Sequence, residues 1–483
     1  MQMVNKYRNL SLPVKAALWF VFINFFIKGI SFITVPVFTH YLSTDEYGKV
    51  SIFLTYQGIL INFATFEMYS GAYIRGILKY KDNVALFTWS EQLLSTIITV
   101  VVFILSIPIM PWLISKAQID LNIYILMYCY FLLYPAYQCW VARKRFDYNY
   151  KPVVLSAVVY SVLSTIIPLV AVVKIDATAS VRLSWMFFTE AVFCLPFYLK
   201  NLHFGQLASK RETVAEQWKF MLLFQAPSVV HALSYVILSS MDRIMIGEMA
   251  GNSEVGIYSV ATTIASAITI LSISANQVLK PWRYQRMEKA DFKIIKSKSN
   301  FLLIVFGLAI MLWILVAPDV IHLLFKEEYY EAIWVIPPVS MSVFFIFLYS
   351  MFVDIEEFYY KTKYTMYATT ISAVVNIILN YFAIRIWGYI ACAYTTLICY
   401  ILLAVLHLNW SNKASMSEGI HIKEIFDVKR ICLLGVCLIL AEIIFTLTYN
   451  SVVIRYLLFA VIVIMCLANF KRICSLIQNI RSS

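Results

Sequence analysis

Fourteen long apolar runs, separated by short polar segments, constrain this chain more than any other feature. Each run holds about 20 mostly apolar residues, the length that an α-helix needs to cross the core of a bilayer. The runs lack the alternation of a membrane β-barrel strand, so helices are the remaining structure that satisfies the backbone inside a membrane. The sequence predicts an all-α integral membrane protein with about fourteen transmembrane helices. The runs cover residues 16–40, 50–72, 86–114, 121–142, 152–173, 179–199, 218–241, 255–278, 299–318, 332–353, 364–384, 387–409, 430–449 and 452–470.

Composition excludes several function classes. Only 14% of the residues are charged and 61% are hydrophobic, which leaves too few charges to cover a water-soluble protein of this size. The net charge of +12 does not indicate nucleic-acid binding, because Lys and Arg concentrate in cytoplasmic loops and no RNA- or DNA-binding motif accompanies them. P-loop, zinc-protease and nucleophile-elbow motifs are also absent from the sequence. We therefore predict no nucleic-acid partner, no cofactor, no metal and no enzymatic activity.

The distribution of positive charge predicts an orientation. With the N-terminus inside, the cytoplasmic segments hold 30 of the 39 Lys and Arg residues, and the opposite side holds 8. This asymmetry favours a multi-pass protein of a bacterial cytoplasmic (inner) membrane with both termini in the cytoplasm. The least basic cytoplasmic segment is the predicted loop 354–363, where Lys361 and Lys363 face three acids.

Two pairs of segments in the chain match each other at similar offsets. Residues 42–51 and 250–259 share Glu, Gly and Ser at an offset of 208, and residues 156–159 match 372–375 at 216. An offset of six helices gives both halves the same direction in the membrane, which is a parallel repeat. We predict two six-helix bundles plus two C-terminal helices. The predicted domains are an N-terminal bundle at 1–200, a cytoplasmic linker at 201–217, a C-terminal bundle at 218–410, and helices 13 and 14 with a cytoplasmic tail at 411–483.

Lys28 is the strongest candidate for a functional residue. It lies near the middle of the first run, with Asn24 one helical turn before it and Ser31 about one turn after. A charge at this depth costs at least about 2.5–3.5 kcal/mol, so it indicates either a ligand or a buried partner. We predict that Lys28 lines a lumen and binds an anionic group. The alternative is a structural ion pair with Glu190.

Other polar residues in or beside the runs form a wider set. Glu67 and Arg75 flank the end of the second run, and Asp242-Arg243 ends the seventh. Glu67 and Arg75 form a gating pair or are solvated boundary charges, and Asp242-Arg243 forms a gating pair or a salt bridge that ties the loop to the bundle. Glu442 lies within the thirteenth run, and the sequence assigns it no role. The predicted substrate-binding residues are Lys28, Asn24, Arg75, His231, Asn376 and Asn380, and the predicted gating or charge-pairing residues are Glu67, Glu190, Asp242 and Arg243.

Two of these candidate groups have structural alternatives. His231, one turn after Pro227, also fits a satisfied interior histidine. Asn376 and Asn380 share a helix face and also fit hydrogen bonding between helices.

Several short motifs carry a family resemblance. The segment 241–247, followed by 255–261, resembles the signature of the Wzx-type O-antigen and polysaccharide repeat-unit flippases. The N-terminal counterpart is Pro36, Thr39 and Leu42 with Glu46-Tyr47-Gly48. Further matching segments are Asn276-Gln277, Lys280-Pro281-Trp282, and Asn376 to Asn380 before Gly388.

The resemblance implies the fold of the multidrug/oligosaccharidyl-lipid/polysaccharide exporter superfamily, in which two six-helix bundles enclose a cavity that opens alternately to each side. It implies flipping of an undecaprenyl-pyrophosphate-linked O-antigen or capsule oligosaccharide to the outer face, with a cationic lumen to which Lys28 fits. Membrane lipids, a polysaccharide polymerase and a chain-length regulator are the expected partners. The alternatives are a cation-coupled drug or metabolite antiporter, a membrane polysaccharide polymerase or ligase, and a non-transporting partner of the polymerase. The glycan, the coupling ion and the oligomeric state stay open.

Overall fold

The computed structural model describes residues 11–203, 211–361 and 363–468, and none of these residues forms a β-strand. The termini predicted to be cytoplasmic, 1–10 and 469–483, and residues 204–210 of the predicted linker lie outside this part of the chain. The helices of the described ranges are α1 (Leu12–Tyr41), α2 (Thr44–Thr65), α3 (Gly71–Lys79), α4 (Val84–Ser106), α5 (Met110–Ala117), α6 (Leu121–Phe146), α7 (Tyr150–Lys174), α8 (Ala179–His203), α9 (Arg211–Met249), α10 (Asn252–Ser266), α11 (Thr269–Glu288), α12 (Phe292–Leu324), α13 (Ile336–Phe358), α14 (Lys363–Trp387), α15 (Ala391–Met416), α16 (Ile422–Ile425), α17 (Val428–Leu447) and α18 (Val452–Ala468).

The predicted all-α membrane architecture is confirmed. Within the described residues, 11 helical segments are long and apolar enough to cross a membrane. The three predicted spans outside that set are also helical, but α2 and α8 are less apolar and α18 is shorter. The second and third predicted spans are each divided into two helices. The helical backbone is interrupted after Thr65 in α2 and after Ser106 in α4.

Local sequence explains where α2 begins and ends. The Ser43 side chain accepts a hydrogen bond from the Glu46 backbone N–H at 3.3 Å, and Asp45 and Glu46 place negative charge at the helix N-terminus. Both features stabilise the first turn. At the other end Phe66 and Glu67 adopt positive φ angles of 51° and 46°, which stop the helix before α3.

The described residues fall into two compact units, with unit 1 ending at Gly256 and unit 2 beginning at Ile257. In unit 1, α6 and α7 both pack on α8, α1 packs on α7, and α9 packs on α2, α3 and α4. The sequence repeat instead predicts a division at 201–217. That division stays a prediction, because duplication and compactness are different criteria.

Helix α9 is fixed to unit 1 through side-chain hydrogen bonds at the break between α2 and α3. Gln225 accepts from the Ala72 backbone N–H at 3.0 Å and donates to the Ser70 hydroxyl at 2.8 Å. The indole of Trp218 donates to the Ser90 carbonyl at 3.0 Å. The bond to Ala72 satisfies a backbone N–H in the first turn of α3, which the start of a helix leaves open.

The first turns of α2 and α10 approach each other at two glycines. A Cβ atom at Gly48 would lie 1.8 Å from the Asn252 carbonyl oxygen, and one at Gly256 would lie 2.2 Å from the Thr44 carbonyl oxygen. The Asn252 side chain also donates to Asp45 at 3.1 Å. Thr44 and Asn252, like Gly48 and Gly256, are related by the offset of 208, so this contact has the symmetry of the sequence repeat. We call these four residues, Thr44, Gly48, Asn252 and Gly256, the glycine seam.

Unit 2 is organised around α13, which packs on α11, α12 and α15, while α14 packs on α15. The C-terminal helices are tied to α12: Arg455 of α18 donates to Asp319 at 2.6 Å, and the Tyr449 hydroxyl donates to the Ile314 carbonyl at 2.8 Å.

The sequence predicts that the loop 354–363 begins at Asp354, and this boundary is wrong for Asp354, Glu356 and Glu357. All three lie in the last turns of α13, which continues to Phe358. Their charges are compensated by neighbouring helices, so the helix does not end where the apolar run ends. Arg283 of α11 donates from Nε to Asp354 at 2.7 Å and again from its terminal nitrogen. His407 of α15 and Glu356 approach to 2.9 Å.

The buried Arg283–Asp354 pair generates a stability prediction. Arg283→Leu leaves Asp354, which is 4% exposed, with Lys280 at 3.7 Å as its remaining counter-charge, at a cost of up to about 3–5 kcal/mol. The double variant Arg283→Leu/Asp354→Leu removes both charges and recovers most of that loss. Thermal unfolding of the purified chain in detergent measures both effects. A double variant less stable than Arg283→Leu would contradict the pairing.

The glycine seam generates a second prediction. Gly48→Ala and Gly256→Ala force backbone apart, and we expect each to lower stability by about 1–3 kcal/mol. Gly29→Ala is the matched control, since nothing lies within 4 Å of a Cβ there and alanine favours the helix. If the unfolding temperature of Gly29→Ala is lower than that of Gly48→Ala, the close approach of α2 and α10 is absent in the protein.

Candidate functional site

Lys28 lies on the face of α1 that points away from α7. Trp19 stacks on Tyr150 of α7, with ring centroids 6.3 Å apart. Lys28 follows Trp19 by nine residues, about two and a half helical turns, so its side chain points to the opposite side. The side chain is exposed. Among the described residues, no hydrogen bond or ion pair to its ammonium group is present. The structure therefore presents this cation without a protein counter-charge.

The polar stripe around Lys28 follows the predicted spacing. Asn24, one turn earlier, is partly exposed, and the exposed Ser31 donates to the Ile27 carbonyl at 3.2 Å within its own helix. The hydroxyl of Ser31 is thus occupied by local backbone. Lys28 and Asn24 are the members of the stripe that can offer groups to a ligand.

Glu190, the alternative partner of Lys28, has a different neighbour. It lies in α8, where its carboxyl group neighbours Tyr160 of α7, and the Tyr160 hydroxyl lies 3.3 Å from the Tyr130 hydroxyl. No Lys28–Glu190 ion pair occurs within the described ranges. Glu190 instead belongs to a tyrosine-lined polar group inside unit 1.

Arg75 lies on the exposed face of α3. Its neighbours Ala72, Tyr73, Gly76 and Ile77 are buried in the unit 1 core. Glu67 is partly exposed at the break before α3, and in the described part of the chain it forms no ion pair with Arg75. The predicted gating pair is not formed in this conformation.

The residue at the repeat offset from Arg75 is Arg283, and its environment is opposite. Arg283 is 1% exposed and forms the ion pair with Asp354. The two halves of the chain thus share an arginine at equivalent positions, but within the described residues only the second half supplies an acid for it. Arg75 keeps a side chain that is open to solvent or ligand.

Asp242 and Arg243, which the sequence predicts at the end of a span, do not end a helix. Helix α9 continues past them to Met249, because residues 242–249 keep a helical backbone beyond the apolar run. Asp242 is 2% exposed and Arg243 donates to the Ser239 carbonyl at 3.3 Å. Both residues therefore lie inside the helix. His231 is partly exposed on the same helix, one turn after Pro227.

Asn376 and Asn380 are used to join α14 to α15. Both are 0% exposed. The Asn380 amide donates to Asn376 at 3.1 Å, Asn376 donates to Thr396 at 3.4 Å, and Thr395 donates to Asn380. These contacts match the interhelical alternative that the sequence left open. We therefore assign the two asparagines to helix packing and not to substrate binding.

Sequence reasoning missed the buried polar group at the end of α13. Glu356 is held by His407 of α15 and by the Thr365 hydroxyl of α14 at 3.2 Å. The available signal was the acidic cluster 354–357 together with a histidine inside the twelfth apolar run. Glu442 of α17 is 1% exposed, and its Oε1 has no hydrogen-bond partner in the described ranges. The structure does not explain Glu442.

Comparisons with solved structures identify the fold. A lipid II flippase, MurJ, in an inward closed conformation superposes with a TM-score of 0.65 at 14% identity, covering 91% of this chain and 100% of that chain. An inward-facing multidrug resistance MATE family transporter of the MOP superfamily gives 0.63 at 14% identity, with 80% and 95% covered. A MOP superfamily transporter from Pyrococcus furiosus gives 0.54 at 15% identity, with 84% and 97% covered.

No curated protein matches the chain. The MatE family matches residues 227–382. The family described as polysaccharide biosynthesis protein matches residues 14–287, which is more than half of the chain. The chain therefore belongs to the polysaccharide biosynthesis protein family and has the helical fold of the MOP superfamily.

Proposed function

We propose that the protein flips an undecaprenyl-pyrophosphate-linked oligosaccharide, an O-antigen or capsule repeat unit, from the cytoplasmic to the outer face of a bacterial inner membrane. One observation carries the proposal. Lys28 stands in the middle of an apolar helix, exposed and without a counter-charge among the described residues. A cation at that depth is costly unless it serves an anionic ligand. A lipid diphosphate supplies such an anion.

The difference between Arg75 and Arg283 supports an anion site in unit 1. Unit 2 neutralises its buried arginine with Asp354. Arg75 is exposed and forms no ion pair within the described residues. A guanidinium group binds phosphate oxygens through two parallel hydrogen bonds, and an ammonium group acts as a point charge. Lys28 and Arg75 are thus the proposed diphosphate ligands, with Asn24 and His231 as proposed contacts to the polar head group.

Transport of such a substrate has a simple physical logic. The polyprenyl tail is as apolar as the lipid and needs no protein shield, while the charged diphosphate and the glycan must cross the hydrocarbon core. A protein that binds the head group with cationic side chains, and that opens alternately to each side of the membrane, lowers that barrier. Synthesis inside and consumption outside give the step a direction. A polysaccharide polymerase and a chain-length regulator are the proposed partners, and both termini are proposed to be cytoplasmic.

A cation-coupled drug or metabolite antiporter is the second candidate function. The MatE match and the MATE transporter fold favour it, and unit 1 contains the partly exposed carboxylates Glu67 and Glu190. An antiporter of organic cations needs these acids and has no need of Lys28. The two functions therefore assign importance to opposite charges in the same unit.

Substitution of Lys28 separates the two functions. Lys28→Ala removes the anion-binding charge, so we expect surface glycan to fall to background at normal protein level. Lys28→Arg keeps the charge and retains partial export. Lys174→Ala, at the exposed end of α7, is the control and keeps full export. Surface glycan and membrane protein level are measured by immunoblot. Full export by Lys28→Ala would reject the proposed site.

The two arginines related by the repeat offer a matched comparison. Arg75→Gln removes an exposed charge, so we expect export to fall about tenfold or more with an unchanged unfolding temperature. Arg283→Gln breaks a buried pair, so its unfolding temperature falls together with the protein level. Glycan export per folded molecule and thermal unfolding are measured for both. Loss of stability with Arg75→Gln at normal export per molecule would contradict the ligand role.

A further inference from the structure

A second cationic feature of unit 1 lies on the other face of α1. A pocket of about 570 Å³ opens between α1 and α7. Two lysines, Lys15 and Lys151, line it together with the stacked rings of Trp19 and Tyr150. Because Lys28 points away from Trp19, this pocket is separate from the proposed diphosphate ligands. A role for this pocket therefore does not depend on the proposed transport function.

Both helices place a lysine near the N-terminus and apolar side chains beyond it. On α1 the lining residues Lys15, Trp19 and Phe22 are spaced i, i+4 and i+7, so they share one face. Helix α7 begins with Tyr150 and Lys151, and an apolar stripe follows. That stripe consists of Val154, Leu155 and Val158. From the helix N-termini inward, the pocket therefore passes from the two lysines and the stacked aromatic pair to apolar side chains.

The charge and the exposure of the pocket limit what it can bind. The lining contains two ammonium groups and no carboxylate. Its apolar wall is open, since Phe22 is 51% exposed and Leu155 is 66% exposed. A soluble anion would use the lysines and leave that wall uncovered. An acidic peptide would likewise leave the exposed apolar side chains of the wall without an apolar partner.

We propose that this pocket binds an anionic phospholipid from the leaflet in which α1 begins. The headgroup phosphate lies between Lys15 and Lys151, Trp19 and Tyr150 lie at the depth of the lipid interface, and one acyl chain follows Val154, Leu155 and Val158. Aromatic rings with a polar edge favour that interfacial depth. Each lysine near an anionic lipid surface strengthens lipid binding, and the two together raise the affinity for an anionic lipid about 10–30-fold.

Lipid binding to the purified full-length chain tests the proposal. Native mass spectrometry in detergent follows titration with dioleoyl phosphatidylglycerol and, separately, dioleoyl phosphatidylcholine. We expect wild type to prefer phosphatidylglycerol, and Lys15→Gln/Lys151→Gln to lose about 10–30-fold of that affinity while phosphatidylcholine binding is unchanged. The control, Lys289→Gln/Lys293→Gln, removes two exposed lysines around the start of α12 and changes neither affinity by more than about twofold.

Further arms identify the source of the phosphate. Millimolar inorganic phosphate that displaces phosphatidylglycerol would show a simple anion site and overturn the lipid assignment. Preference for a polyprenyl diphosphate over phosphatidylglycerol at this pocket would overturn it in favour of a substrate site. Unchanged affinity in the lysine double variant also rejects the proposal. On wild type alone, raising salt from 0.05 to about 0.5 M should weaken phosphatidylglycerol binding, and salt-independent binding would contradict the headgroup contact.

Discussion

The bilayer core offers no water to a charged side chain, and this constraint explains most of what the polar residues of the chain do. In unit 2, Arg283 is held by Asp354, and Glu356 is held by His407 and Thr365, so each of these charged groups has a partner on another helix. Such contacts fix which helices are neighbours, since a misplaced helix would leave a buried charge alone. Lys28 departs from this pattern within the described residues, and that departure is the basis of the functional account.

The two halves of the chain share backbone geometry but differ in charge. The glycine seam follows the repeat, because Thr44 and Asn252 begin equivalent helices and Gly48 and Gly256 make reciprocal approaches. The arginines at the same offset, Arg75 and Arg283, are treated differently by their surroundings. A duplicated scaffold has thus retained its close helix contacts, while the arginine that stays exposed is the one in unit 1.

Much of the fold was predictable because it depends on local hydrophobicity. The apolar runs located the membrane helices, and one costly charge within them located Lys28. The helix breaks at Phe66 and Glu67 were not predictable, since non-glycine residues rarely adopt positive φ and the break is supported by Gln225 from a distant helix. The same holds for the end of α13, where acids continue the helix because Arg283 and His407 compensate them.

Site prediction succeeded least where one residue type has two uses. Asn376 and Asn380 have the chemistry of a sugar-binding pair, yet the structure uses them between α14 and α15, and only the neighbouring threonines decide between the two. Glu190 has the charge to neutralise Lys28, but its neighbour is Tyr160. Partners that are distant in sequence determine both outcomes, so a single sequence cannot resolve them.

The most direct measurement locates the lipid-linked repeat unit in cells that lack this protein. If the protein flips that unit, single repeat units accumulate at the cytoplasmic face, protected from a membrane-impermeant glycosidase, and surface polysaccharide is lost. If single units reach the outer face and remain unjoined, the flippase account is wrong and the protein acts in polymerisation.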